Sequence, residues 1–181
     1  MTTDPRPPVI RDRPIAALLV ICLSVFVISV DATIVNVALP TLSRELDADT
    51  AQLQWIVDAY TLVMAGLLLS AGSLSDRYGR RGWLSSGLAL FAITSAVAAQ
   101  MTTADGLIAA RAAMGIGAAV IFPTTLALIT NIFGDPAARA KAIGLWAAMV
   151  GVGVAVGPIT GGWLLEHFAW GSIFWVNVPV A

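Results

Sequence analysis

The sequence predicts an all-α membrane protein, a bundle of apolar spans joined by short turns. Three observations predict it. Of the 181 residues, 58% are hydrophobic and 12% charged, with a mean hydropathy of +0.85, whereas a soluble domain carries about 25% charge. Apolar stretches of about 18 residues or more, enough to cross a hydrocarbon core of roughly 30 Å, recur five times, and a sixth is begun. The segments between them leave no room for a soluble domain. In lipid every backbone polar group has to be satisfied within its own segment, so the spans are expected as helices.

The elements follow in order. Residues 1–14 form a tail bearing Arg6, Arg11 and Arg13, and residues 15–181 form the bundle. The first span, Ile15–Leu39, is too long for a signal-peptide core and lacks a small-residue cleavage site after it, so it is expected to be retained. It holds Cys22, whose solitude excludes an intramolecular disulfide; packing is its expected role. Further spans are expected over Leu53–Leu74, Trp83–Met101, Leu107–Ile132 and Ala142–Leu165. A partial sixth starts at Phe174 and is cut off at Ala181, short of the far interface, so the spans are expected to be the N-terminal half of something larger.

Charge predicts the orientation. Lys and Arg concentrate on the cytoplasmic side, and eight of the ten basic residues lie in the tail and in alternate loops, through Arg77, Arg80, Arg81, Arg139 and Lys141. Arg44 alone falls on the other side, so the N-terminus is expected in the cytoplasm. Trp55, Trp163 and Trp170 fall near the outer ends of spans and Trp83 and Trp146 near inner ones, as aromatic belts require.

Three ionisable residues fall inside spans: Asp31, Asp58 and Arg111. A charge at mid-membrane costs at least about 2.5 to 3.5 kcal/mol on insertion scales, and such residues mark functional sites by default. Asp31 lies about eight residues short of the outer end of its span, roughly 12 Å at 1.5 Å per residue. Asp58 and Arg111 enter from the outer side, so all three occupy similar depths. Two readings stand. In one, Arg111 pairs with an acid and holds spans together. In the other, one carboxylate or both carry protons or meet a cation, because a low dielectric favours the neutral, protonated acid.

Several motifs carry a family resemblance. The turn GSLSDRYGRR, with Gly72, Asp76, Arg77, Gly79, Arg80 and Arg81, resembles the signature loop of the major facilitator superfamily, and LIAARAAMGIGAA, with Arg111, Gly115 and Gly117, resembles its fourth-span motif. GVGVAVGPITGG is similar to the fifth-span motif of the antiporter branches through Gly151, Gly157, Pro158, Gly161 and Gly162. Small residues of this kind let helices approach closely, and Pro158 removes a backbone donor. DATIVNVALP, the acid in WIVDAYTLVMAG, PTTLALI and NVP narrow the resemblance to the fourteen-span drug/proton antiporters and, within them, to the QacA-like quaternary-ammonium pumps. AWGSIF departs from the W-R-W-x-F of many relatives.

The resemblance implies a six-helix N-terminal bundle, truncated in the sixth span, of a bacterial plasma-membrane exporter. It implies proton-coupled antiport of lipophilic cations or quaternary ammonium compounds, with Asp31, Asp58 and Arg111 as candidate proton-coupling or cation-binding residues. Protons, small lipophilic cations, the lipid bilayer and an absent C-terminal half are the implied partners. A facilitator of another small solute and a transport-inactive fragment are the alternatives. Neither metal-ligand cluster, catalytic triad nor P-loop is visible, so no enzyme, metal site or cofactor is expected, and a net charge of -1 gives no reason to expect nucleic acid.

Overall fold

The computed structural model describes residues 14–181. The tail arginines Arg6, Arg11 and Arg13, and nearly all of the segment 1–14, lie outside the described residues. Six helices follow one another: α1 Pro14–Glu45, α2 Thr50–Tyr78, α3 Arg80–Ala98, α4 Ala104–Ile132, α5 Pro136–His167 and α6 Ser172–Trp175. Among the described residues the regular elements are all helices, as the composition implies.

The long helices overrun the expected spans. α1 continues through Pro40 to Glu45 rather than ending at Leu39, because an internal proline deletes a single backbone donor while Leu42, beyond it, is fully buried. The other ends are set by caps. Asp49 and Gln52 form a reciprocal capping box at α2, Thr103 caps α4, and Asp135 caps α5 with Pro136 behind it. Gly79, at φ 97°, is the whole connection between α2 and α3, a left-handed conformation that glycine adopts without steric cost.

Among the described residues, α1, α2, α4 and α5 have the length and hydropathy of a membrane-crossing helix, and α3 forms over Arg80–Ala98 beside the expected Trp83–Met101. Its first turn carries Arg80 and Arg81 and its body Ser85, Ser86, Thr94 and Ser95. The expected sixth helix from Phe174 is a four-residue turn of helix over Ser172–Trp175, after which the chain continues in tight i→i+3 bonds, such as Asn177 N–H to Phe174 C=O at 3.2 Å and Val178 N–H to Trp175 C=O at 3.2 Å. Pro179 lacks the N–H that would extend a helical ladder.

α4 is the central element. Gly115 and Gly117 are two residues apart and so point to nearly opposite sides of the helix. A Cβ on Gly115 would stand 2.6 Å from the Tyr60 carbonyl of α2, and one on Gly117 would stand 3.0 Å from the Phe91 nitrogen of α3. α4 is therefore gripped between α2 and α3 at backbone contact distance. α5 docks on α1 by the same device. Gly153, Gly157 and Gly161, one turn apart, press on Phe26–Val30, on Val30 and Thr33, and on Ile34. Without a solvent-driven hydrophobic term inside lipid, close approach of small residues is what draws helices together.

The connection between α5 and α6 contains Gly171, where a side chain would collide with the Ala99 carbonyl at the end of α3. That contact explains physically why AWGSIF holds a glycine.

Candidate functional site

Asp31 of α1 and Arg111 of α4 meet in the bundle interior. Arg111 Nη1 donates to Asp31 Oδ2 at 2.6 Å, and their side chains are 1% and 0% exposed. Arg111 Nε donates to the Ile56 carbonyl of α2 at 3.1 Å. Its guanidinium also lies 4.2 Å from the Tyr60 ring centroid, where a desolvated cation is stabilised by about 2 kcal/mol. One arginine thus ties α4 to α1 and twice to α2.

The second oxygen of Asp31 is engaged from another direction. Asn177, just past α6, donates from Nδ2 to Asp31 Oδ1 at 2.8 Å and to Ser95 Oγ at 3.0 Å. Ser95 Oγ in turn donates to the Phe174 carbonyl at 2.9 Å. The carboxylate is therefore held by a charge on one oxygen and an amide on the other, with α2 and α3 reaching it through Arg111 and Asn177.

A buried ion pair of this kind loses most of its Coulombic gain to desolvation, and its geometry and extra hydrogen bonds decide whether it persists. Here they are present. Two buried polar atoms at the site, Tyr60 Oη and Asn177 Oδ1, nonetheless have no hydrogen-bond partner among the described residues.

Asp58 stands apart from this pair. It is half-buried on α2 between the exposed Trp55 and Leu62 of the same helical stripe, and it forms no ion pair among the described residues. The similar depths expected for the three charged residues bring two of them together and leave the third on another face.

The signature turn is built around Arg80. Its Nε and Nη2 reach Asp76 Oδ1 at 2.8 and 2.7 Å, and its Nη1 donates to the Ala127 carbonyl of α4 at 2.9 Å. A Cβ on Gly72 would stand 3.5 Å from the Pro123 Cβ of α4, an ordinary van der Waals contact. Trp83 donates from Nε1 to the Ala71 carbonyl at 3.2 Å, while Arg77 and Arg81 are exposed. In the fifth helix, Gly157 and Gly161 contact α1, whereas Gly151 and Gly162 have open space beside them and Pro158 is exposed.

Sequence reasoning left Ser95, Asn177, Tyr60 and Gly153 out of the site residues. Asn177 and Tyr60 stand inside quoted motifs, and Gly153 continues the four-residue spacing of Gly157 and Gly161, so each had a signal. Ser95 had none, since a lone serine in an apolar helix is ordinary.

The chain is 47% identical over 168 residues to the multidrug efflux pump LfrA of Mycolicibacterium smegmatis, which covers 93% of this chain and 33% of that protein. It is 48% identical over 163 residues to the methyl viologen resistance protein SmvA of Salmonella typhimurium, at 90% and 33% coverage. The chain thus spans about a third of the length of these relatives. The crystal structure of a bacterial homolog of the human lysosomal transporter Spinster, inward-facing and occupied, superposes with a TM-score of 0.73 at 20% identity, covering 97% of this chain and 43% of that one, which speaks for the fold alone. Residues 21–181, nearly all of the described bundle, match the Major Facilitator Superfamily, and the chain belongs to that family of multi-pass membrane proteins.

Proposed function

We propose that the chain supplies the proton- and cation-handling bundle of a drug exporter, a proton-coupled antiporter of lipophilic cations in the plasma membrane with its N-terminus in the cytoplasm. The remaining two thirds of the relatives' length would supply the second bundle against which such a transporter rocks. The observation that carries the reading is the buried Asp31–Arg111 pair. A proton added to Asp31 turns a neutral pair into a lone buried cation, a large change in a low dielectric, and such a change can bias a conformational equilibrium. Asp58, half-buried and outside the ion pair, is the acid we assign to the cationic solute. Support for cationic and drug-like cargo comes from the relatives named for multidrug efflux and methyl viologen resistance.

A second reading is favoured by the same geometry. Both oxygens of Asp31 are engaged, as a purely structural clamp would require. Efflux of a monovalent cationic dye by the full-length transporter, reconstituted and driven by an imposed pH gradient, separates the two. Asp31→Asn retains size and removes charge, and under the proposal it abolishes gradient-dependent efflux while the protein is still made. Wild-type efflux with an unchanged dependence on the gradient would leave only the clamp.

A further inference from the structure

Asn177 poses a question of hydrogen-bond accounting. Both Nδ2 hydrogens are used, one on Asp31 Oδ1 and one on Ser95 Oγ, while Oδ1 of the same amide is buried without a partner among the described residues. Leaving a buried amide oxygen unsatisfied is destabilising. The orientation follows from the charge of its neighbour: a carboxylate only accepts, so the nitrogen has to face it.

We propose that Asn177 is a positioning residue that reads the protonation state of Asp31 and passes it to α6. This rests on the reading of Asp31 as a proton carrier. When a proton from water adds to Asp31 Oδ1, the carboxylate becomes a carboxylic acid and that oxygen becomes a donor. The protonated oxygen can still accept from the amide N–H, but its new hydrogen finds no acceptor while Asn177 presents only its nitrogen. A half-turn about the Cβ–Cγ bond of Asn177 brings its Oδ1 to accept from Asp31 O–H and from Ser95 O–H, and moves the two Nδ2 hydrogens to the place that Oδ1 leaves. Ser95 then withdraws its hydrogen from the Phe174 carbonyl, which lies within α6. The signal is a change of donor and acceptor at three side chains, and its output is one hydrogen bond lost between α3 and α6.

The surroundings make Asp31 the input. The titratable side chains in contact with it are Arg111 from α4, which stacks on Tyr60 from α2. α3 presents Ser95 and the stretch after α6 presents Asn177, while α5 meets α1 through Gly153, Gly157 and Gly161, which carry no titratable group. Asn177 and Ser95 are both 0% exposed, so solvent cannot stand in for either partner.

Spin labels on cysteines introduced at the exposed positions Ile93 of α3 and Val180 after α6, with Cys22 replaced by Ala, report the output in the full-length transporter. Proton release on binding of a cationic dye reports the input independently. The wild-type background should show an α3-to-α6 distance distribution that changes with pH and with dye. Asn177→Leu, close in volume and unable to hydrogen-bond, should still release a proton but lose that change. Ser95→Ala keeps the Asp31–Asn177 bond and should also lose it, so one variant failing to fold leaves the other decisive. A wild-type distance change in either folded variant would overturn the relay. Failure of Asp31→Asn to alter proton release would instead remove the proton-carrier reading beneath it.

Discussion

Arg111 and Asp31, eighty residues apart in sequence, meet at 2.6 Å where neither touches solvent. Breaking a buried pair by removing one partner strands a charge and costs about 3 to 5 kcal/mol, whereas removing both can be close to neutral. Asp31→Ala and Arg111→Met should each lower the thermal unfolding midpoint in detergent sharply, and the double variant should recover much of the loss. Additive losses would mean that the two side chains act separately.

Arg111→Lys should not rescue the single variant. Lysine has no Nε to reach the Ile56 carbonyl and no planar guanidinium to lie on Tyr60. We expect an unfolding midpoint nearer to Arg111→Met than to wild type.

The glycines of α5 should divide sharply. Gly153→Ala and Gly157→Ala force a Cβ into α1, since the first would meet the Phe26 carbonyl at 2.9 Å and the second the Val30 carbonyl at 3.0 Å. Overpacking of this kind costs about 1 to 3 kcal/mol. Gly151→Ala and Gly162→Ala enter open space and should be neutral or slightly stabilising, because alanine is the better helix former. A stability series over these four positions checks the order.

In the signature turn, Asp76→Asn should change stability by less than about 1 kcal/mol, because its side chain is 60% exposed and exposed pairs contribute little. Arg80→Ala should cost more, since it also releases the Ala127 carbonyl. Gly79→Ala should be destabilising by about 1 to 2 kcal/mol, from the left-handed φ of 97°.

Orientation has its own test. Cys22 is buried, which keeps the background low, and Tyr78 in the signature turn is 67% exposed. An impermeant thiol reagent should label Tyr78→Cys from the cytoplasmic face only. Labelling from outside would invert the topology.

The two acids should separate by cargo. Asp58→Asn should weaken export of divalent cations more than monovalent ones, while Asp31→Asn should abolish both, measured as dye efflux and as growth in the presence of each cation. Equal loss for both cargo classes in Asp58→Asn would place Asp58 elsewhere in the cycle.

The amino-acid sequence alone decided the solvent, the helical secondary structure and the family, because each is written in local composition or in short motifs such as GSLSDRYGRR. It also singled out Asp31 and Arg111, since a charge in an apolar run is conspicuous wherever the run ends up. Which acid the arginine takes was decided by tertiary structure. Asp31 and Asp58 are equivalent as residues at a given depth, and only the rotation of α1 and α2 about their axes, imposed by Gly115 against α2 and by Gly153 and Gly157 against α1, turns one inward and the other to a half-exposed stripe. Asn177 and Ser95 join the site for the same reason: hydrogen bonding across 146 and 82 residues of sequence depends on packing that no local pattern encodes.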